Sequence, residues 1–208
     1  MRIRPLLIVV LLTLIIGGLA PISAGTIVGR LPGTVGNNWS LYSGQFLVSS
    51  WTQGSASNVS ISAYLTGFGS FGFQLSTVIG PTATASDLVA SNVMDVNQGG
   101  FAFLTVLSGL TLPANTYYLT AYGIGDASGS WPELVDPTVV GSLGNEFFTN
   151  DSRTMNSTDP YRSVMAGPTA LSMGILVQDD QSSVPEPSSL VFVTTALAGL
   201  VLSLRRRV

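Results

Sequence analysis

Three features of this 208-residue chain predict an all-β fold, an antiparallel β-sandwich with a helix at each end. Apolar residues alternate with polar ones in short runs, Gly and Pro punctuate those runs, and the middle of the chain is rich in Gly, Ser, Thr, Val and aromatics while lacking Lys altogether. Surface helices favour Glu, Lys and Ala, whereas β-branched and aromatic residues suit a pleated, half-buried surface. The expected organisation is a signal segment over residues 1–24, a β-sandwich domain over 25–177, a polar linker over 178–187 and a C-terminal hydrophobic helix over 188–208.

The chain begins with Arg2 and Arg4, an apolar run over residues 6–16, a Gly17-Gly18 breaker and Ile22-Ser23-Ala24 before Gly25. That order of basic, apolar and small residues reads as a signal peptide, with an uncleaved anchor as the alternative. Both place the middle of the chain outside the cytoplasm. Phe46-Leu47-Val48-Ser49-Ser50-Trp51 is expected to be the first clear strand. In the next, Val59, Ile61, Ala63 and Leu65 share one face and Ser60, Ser62 and Tyr64 the other, which predicts one buried and one wet side.

Residues 71–79 alternate through Phe73, Leu75, Thr77 and Ile79 and stop at Gly80-Pro81, and residues 84–94 fit either a short loop helix or a strand. Residues 101–107 form a more continuous apolar run. Residues 109–122 read as strand, turn at Pro113 to Asn115, and strand, a hairpin. Gly129-Ser130-Trp131-Pro132 reads as a loop that exposes its indole, and residues 141–168, rich in Asn, Asp and Pro, as the largest irregular stretch. Leu171, Met173, Ile175 and Val177 alternate once more before Asp179-Asp180.

The C-terminus is the most specific part. Val184-Pro185-Glu186-Pro187-Ser188 precedes an uncharged apolar run to Leu204, then Arg205-Arg206-Arg207 and Val208. As a helix residues 188–204 would reach about 25 Å, slightly short of a hydrocarbon layer roughly 30 Å thick. The three arginines act as a stop on the cytoplasmic side. A C-terminal core helix is the bland alternative, but the apolar residues surround the whole circumference.

This order of residues resembles the PEP-CTERM sorting signal of Gram-negative bacteria, also described as the ice-binding protein C-terminal domain. The resemblance implies recognition by an exosortase, a membrane cysteine transpeptidase, processing near Pro185-Glu186-Pro187, transient membrane anchoring, and association with exopolysaccharide, biofilm and the cell surface. The 109–122 segment is also similar to a hairpin that recurs in exported PEP-CTERM sandwich domains of jelly-roll or galactose-binding-like shape. The ice-related name implies no antifreeze activity, and the one Thr-x-Thr, Thr82-Ala83-Thr84, is not the ladder a flat ice-binding face needs.

Composition excludes most chemistry. Without His, Cys or Lys there is no Ser-His-Asp or Cys-His nucleophile, no Schiff base and no ordinary zinc site. Carboxylate hydrolysis alone survives, and Asp87, Asp95, Asp126, Glu133, Asp136, Glu146, Asp151 and Asp159 fall mainly where turns are expected rather than in facing pairs. A calcium loop at residues 151–159 lacks the Gly and closing Glu of an EF-hand and carries Arg153. Between the two end signals the only basic residues are Arg30, Arg153 and Arg162 against nearly all of the chain's acids, so nucleic acid would be repelled. Cysteine's absence leaves burial and sheet hydrogen bonds to hold the domain.

Aromatics offer the one binding idea. Trp39, Trp51, Trp131 and Tyr122 are candidates for stacking on sugar rings, with Trp131 and Tyr122 the leading glycan contacts and core packing the favoured reading for Trp39, Trp51 and Tyr117. The Asn-x-Ser/Thr sites at Asn38, Asn58, Asn150 and Asn156 are expected from a Ser/Thr/Asn-rich composition. The expectation is a non-enzymatic exported protein of the cell surface or extracellular matrix, with no cofactor; the alternative is a carbohydrate-binding module with an aromatic platform.

Overall fold

Val59, Ile61, Ala63 and Leu65 are all fully buried, as their alternation predicts, and every strand pairing around them is antiparallel. The computed structural model describes residues 25–149, 158–166 and 172–179, which belong to one compact unit. Residues 1–24, the expected signal segment, residues 150–157 and 167–171, and everything from 180 onward lie outside the described residues. The expected flanking helices therefore lie outside them too. Among the described residues no helix is long and apolar enough to cross a membrane.

Ten strands are described: β1 Gly25–Leu31, β2 Thr34–Tyr42, β3 Phe46–Gln53, β4 Ala56–Ser76, β5 Leu88–Leu112, β6 Asn115–Gly123, β7 Ser128–Val135, β8 Thr138–Val140, β9 Ser142–Thr149 and β10 Ile175–Asp179. They form one continuous sheet with the order β8-β1-β10-β4-β6-β3-β9, while β5 pairs with β4 and β7 pairs with both β2 and β4. β10 runs two residues past the expected domain end, with Gln178 opposite Ser60 and Asp179 opposite Val59.

One long two-stranded ribbon organises the sheet. β3 pairs with β6 from Phe46↔Tyr122 to Gln53↔Asn115, and β4 pairs with β5 from Ala56↔Leu112 to Ser76↔Leu88. Between them the chain turns a corner at Gly54-Ser55 and Pro113-Ala114, where the Ala114 N–H donates to Ser55 Oγ at 3.1 Å. The ribbon bends again where the β4–β5 register slips between Leu65 and Gly67. Its end then meets its beginning, since residues 71–76 of β4 pair with residues 118–123 of β6. A ribbon that returns to pair with itself leaves a sheet rolled nearly into a barrel.

Along its free side β4 meets β10, then β7, then β6. At the middle contact Gly67 faces Gly129, and a Cβ on Gly129 would stand 2.6 Å from the Thr66 carbonyl and 2.8 Å from the Phe71 ring. Only a residue without a side chain permits this approach. Inside lie Leu47, Trp51, Ile61, Phe71, Phe73, Leu75, Leu119, Trp131 and Ile175, among others. Fully burying one such side chain contributes about 1.5–3 kcal/mol.

The opposite face of β3 and β6 is covered as well. Phe46 and Val48 are fully buried there, beneath the β4–β5 loop and residues 158–166. Tyr161, 1 % exposed, plugs this cover. Its N–H donates to Gln74 Oε1 at 3.2 Å, its hydroxyl to the Thr84 carbonyl at 3.0 Å, and its carbonyl accepts the Gly80 N–H at 2.8 Å.

Several sequence expectations are corrected. Residues 109–122 are strand, turn and strand, but not a hairpin: β5 and β6 have different partners because the turn is a corner of the ribbon. The wet face expected at Ser60 and Ser62 is buried, at 6 % and 5 % exposure. β4 is flanked on both sides there, and small side chains sink below larger neighbours. Residues 85–87 form a single 3-10 turn that leads into β5. Part of the stretch expected to be irregular is strand β9.

Candidate functional site

Trp131 is not in a loop and is not exposed. It lies in β7 opposite Trp39 of β2, is 0 % exposed, and its indole N–H donates to the Gly174 carbonyl at 2.8 Å. It fills the space beside the bend of β4, so it offers no face to a sugar. The Gly129 and Pro132 that suggested a turn have other roles here: Gly129 admits β4 and Phe71, and Pro132 falls beside the register slip between Val35 and Asn38, where a strand tolerates a missing N–H.

Tyr122 is half-buried and lies over Gly72, where a Cβ would come 2.1 Å from its ring. Burial, with a smaller contribution from the Asp159 charge, raises its hydroxyl pKa. Trp51 is fully buried, packs against Tyr117 at 5.9 Å and donates to Gln53 Oε1 at 2.7 Å. Trp39 is half-buried against Phe148 at 5.2 Å. The four aromatic candidates therefore form no common platform.

The acidic residues are likewise tied to separate tasks. The Asp87 carboxylate accepts the Thr84 N–H and hydroxyl, both at 2.7 Å, and the backbone bond in particular lowers its pKa. Asp95 accepts from Ser70, Glu133 from Asn37 at 3.0 Å, and Asp159 from Arg162 at 3.4 Å. Among the described residues no three Asp or Glu come together as metal ligands would. Asp151 and most of the expected calcium loop lie outside the described residues.

Glu146 is the exception in depth. On β9 it is 2 % exposed and pairs with Arg30 of β1, 7 % exposed, whose guanidinium also donates to the Met173 carbonyl at 3.2 Å. Burial pushes the Glu146 carboxyl above the ordinary carboxylate range, and the Arg30 hydrogen bond and charge pull it back only in part. The pair joins the strand beside β10 to the strand beside β3. Both side chains are buried, so the pair ties two strands together inside the sheet.

The aromatic surface that does face outward was not expected. Tyr64 is on the β4 face opposite Ala63 and Leu65, and its half-buried ring meets Phe103 at 5.1 Å and stacks on Phe101 at 5.8 Å. Phe68, 57 % exposed, stands at the ribbon's bend. Thr105 continues the Phe103 face of β5 and bonds the Ser62 hydroxyl at 3.1 Å. It also lines a cleft of about 320 Å³ between the two halves of β5, together with Ser91, Asn92 and Ser108. Asn92 Nδ2 donates to the Val106 carbonyl at 2.9 Å across that cleft. Fourteen residues of straight strand would separate them by about 46 Å. The fold of the ribbon alone brings them together. Half of this signal was present as Phe101, Phe103 and Tyr64, but which face each occupies depended on the register.

Val184, Pro185, Glu186, Pro187 and Arg205, Arg206, Arg207 lie outside the described residues. No family model matches the chain, and a search of curated proteins finds no match.

Proposed function

We propose that the chain is a non-enzymatic exported protein, carried out by its N-terminal signal and held in the inner membrane by residues 188–208. Processing by an exosortase-type transpeptidase near Pro185-Glu186-Pro187 then delivers it to the cell surface or extracellular matrix, in association with exopolysaccharide. The observation that carries this reading is the order Pro-Glu-Pro, uncharged apolar run, Arg205-Arg206-Arg207 at one end and basic, apolar, small-residue segments at the other. A jelly-roll sandwich between two terminal helices is part of the proposal. A long antiparallel ribbon rolled on itself supports it, and so does Tyr117, whose hydroxyl donates to the Pro113 carbonyl at 2.6 Å at the strand entrance, as a tyrosine corner does.

The test is fractionation of cells that express the full chain together with an exosortase. A shortened form at the surface is expected, with a full-length form retained in the inner membrane when Pro185, Glu186 and Pro187 are all replaced by Ala. Intact chain dissolved in the cytosol would refute the reading.

A further inference from the structure

We propose that the outward face of the β4–β5 ribbon at its bend binds a neutral glycan. Tyr64, Phe101 and Phe103 stack on a sugar ring, and the cleft at Asn92, Thr105 and Ser108 takes hydroxyls of the adjoining unit. Trp51, Trp131, Tyr117 and Tyr161 are the largest fully buried side chains, each at most 1 % exposed. Tyr64, Phe101 and Phe103 are half-buried and form one contiguous group on the face away from the core. Ring faces at a surface attract the C–H faces of pyranoses, which lose water without losing hydrogen bonds.

Thr105 belongs both to the aromatic face and to the cleft, so the two adjoin. A volume of about 320 Å³ falls at the lower end of small-molecule sites. Beside the apolar Ala90, Val106, Leu107 and Leu110, the cleft is lined by the amide of Asn92 and the hydroxyls of Ser91, Thr105 and Ser108 and by no charged side chain, which fits a sugar with its hydroxyls and C–H faces and excludes recognition of an anion by a cation. The acidic balance of the domain would repel an anionic polymer further. A second copy of the chain suits the place less well. Strand addition needs an unbroken row of backbone groups, whereas the edge of β5, which pairs with β4 alone among the described strands, is interrupted by register slips and by Asn92 on the Val106 carbonyl.

Affinity electrophoresis of the purified full chain through gels containing amylose, hydroxyethylcellulose, dextran or alginate tests the inference. Retardation by at least one of the three neutral polymers and not by alginate is expected. Phe103→Ala should weaken it about tenfold, and Thr105→Glu, which changes an exposed side chain and leaves the rings in place, should weaken it comparably. Circular dichroism checks that each variant is folded; if Phe103→Ala is not, Thr105→Glu decides alone. No retardation by any neutral polymer overturns the proposal, as does retardation undiminished in the folded variants. A glycan-independent dimer that the same variants disrupt would also overturn it, and would assign the face to self-association. This binding is separate from sorting: the triple-Ala variant at residues 185–187 should bind as the wild type does, and Phe103→Ala should be processed normally.

Discussion

A single buried ion pair shows how finely the residue scale is balanced. Taking Arg30 and Glu146 out of water costs several kcal/mol for each ion, and their attraction recovers this only with good geometry. Since burial raises the native pKa of Glu146 above its ordinary 4.5, the folded chain holds that proton more readily than the unfolded one. The resulting stability is full below about pH 4.5 and is lost as pH rises through the native pKa. Urea unfolding at about pH 4 and pH 7 should therefore show Glu146→Gln gaining on the wild type at the higher pH. Arg30→Met should cost about 3 kcal/mol at pH 7, where the buried carboxylate loses its cation, and less at pH 4, where it is protonated. If Glu146→Gln instead loses ground with rising pH, the guanidinium outweighs desolvation.

At the scale of the element, β7 acts as a wedge. It sits between β10 and β6 where β4 bends, pairs with only residues 66–68 of that strand, and sends Trp131 into the opened space with its N–H capped by Gly174. Trp131→Ala should consequently destabilise the fold by about 3–5 kcal/mol through the cavity it leaves. The denaturation midpoint should fall with the slope unchanged. A loss below about 1 kcal/mol would mean that the indole is not the filler of the bend. The same element shows why a reading by turn residues went astray. Gly129 and Pro132 look alike in a loop and in a strand that must approach a neighbour or tolerate a register slip; what separates the cases is the position of β4, which is remote in sequence.

For the domain as a whole, the rolled ribbon predicts cooperativity. Because β4 pairs with β5 on one side and with β10, β7 and β6 on the other, no half of the sheet can separate without unpairing it. Far-ultraviolet and near-ultraviolet circular dichroism should therefore report coincident thermal transitions. Two separated transitions would show that the β3–β6 and β1–β10 regions open independently. The low share of local contacts in such a topology also implies slow folding relative to helical proteins of this size.

The sequence by itself determined the strand class and the buried faces, because a period of two at Val59 to Leu65 and at Met173 to Val177 is a local property of the backbone. It likewise carries the linear strings of residues on which the proposal of two terminal signals rests, and the lack of His, Cys and Lys. Only the tertiary structure decided the rest. Whether Trp131 or Phe103 meets solvent, whether residues 109–122 pair with each other, and whether Asn92 reaches Val106 all depend on where a ribbon bends and which strand it meets. Those outcomes are set by packing between distant segments, on which a local pattern of side chains has no purchase.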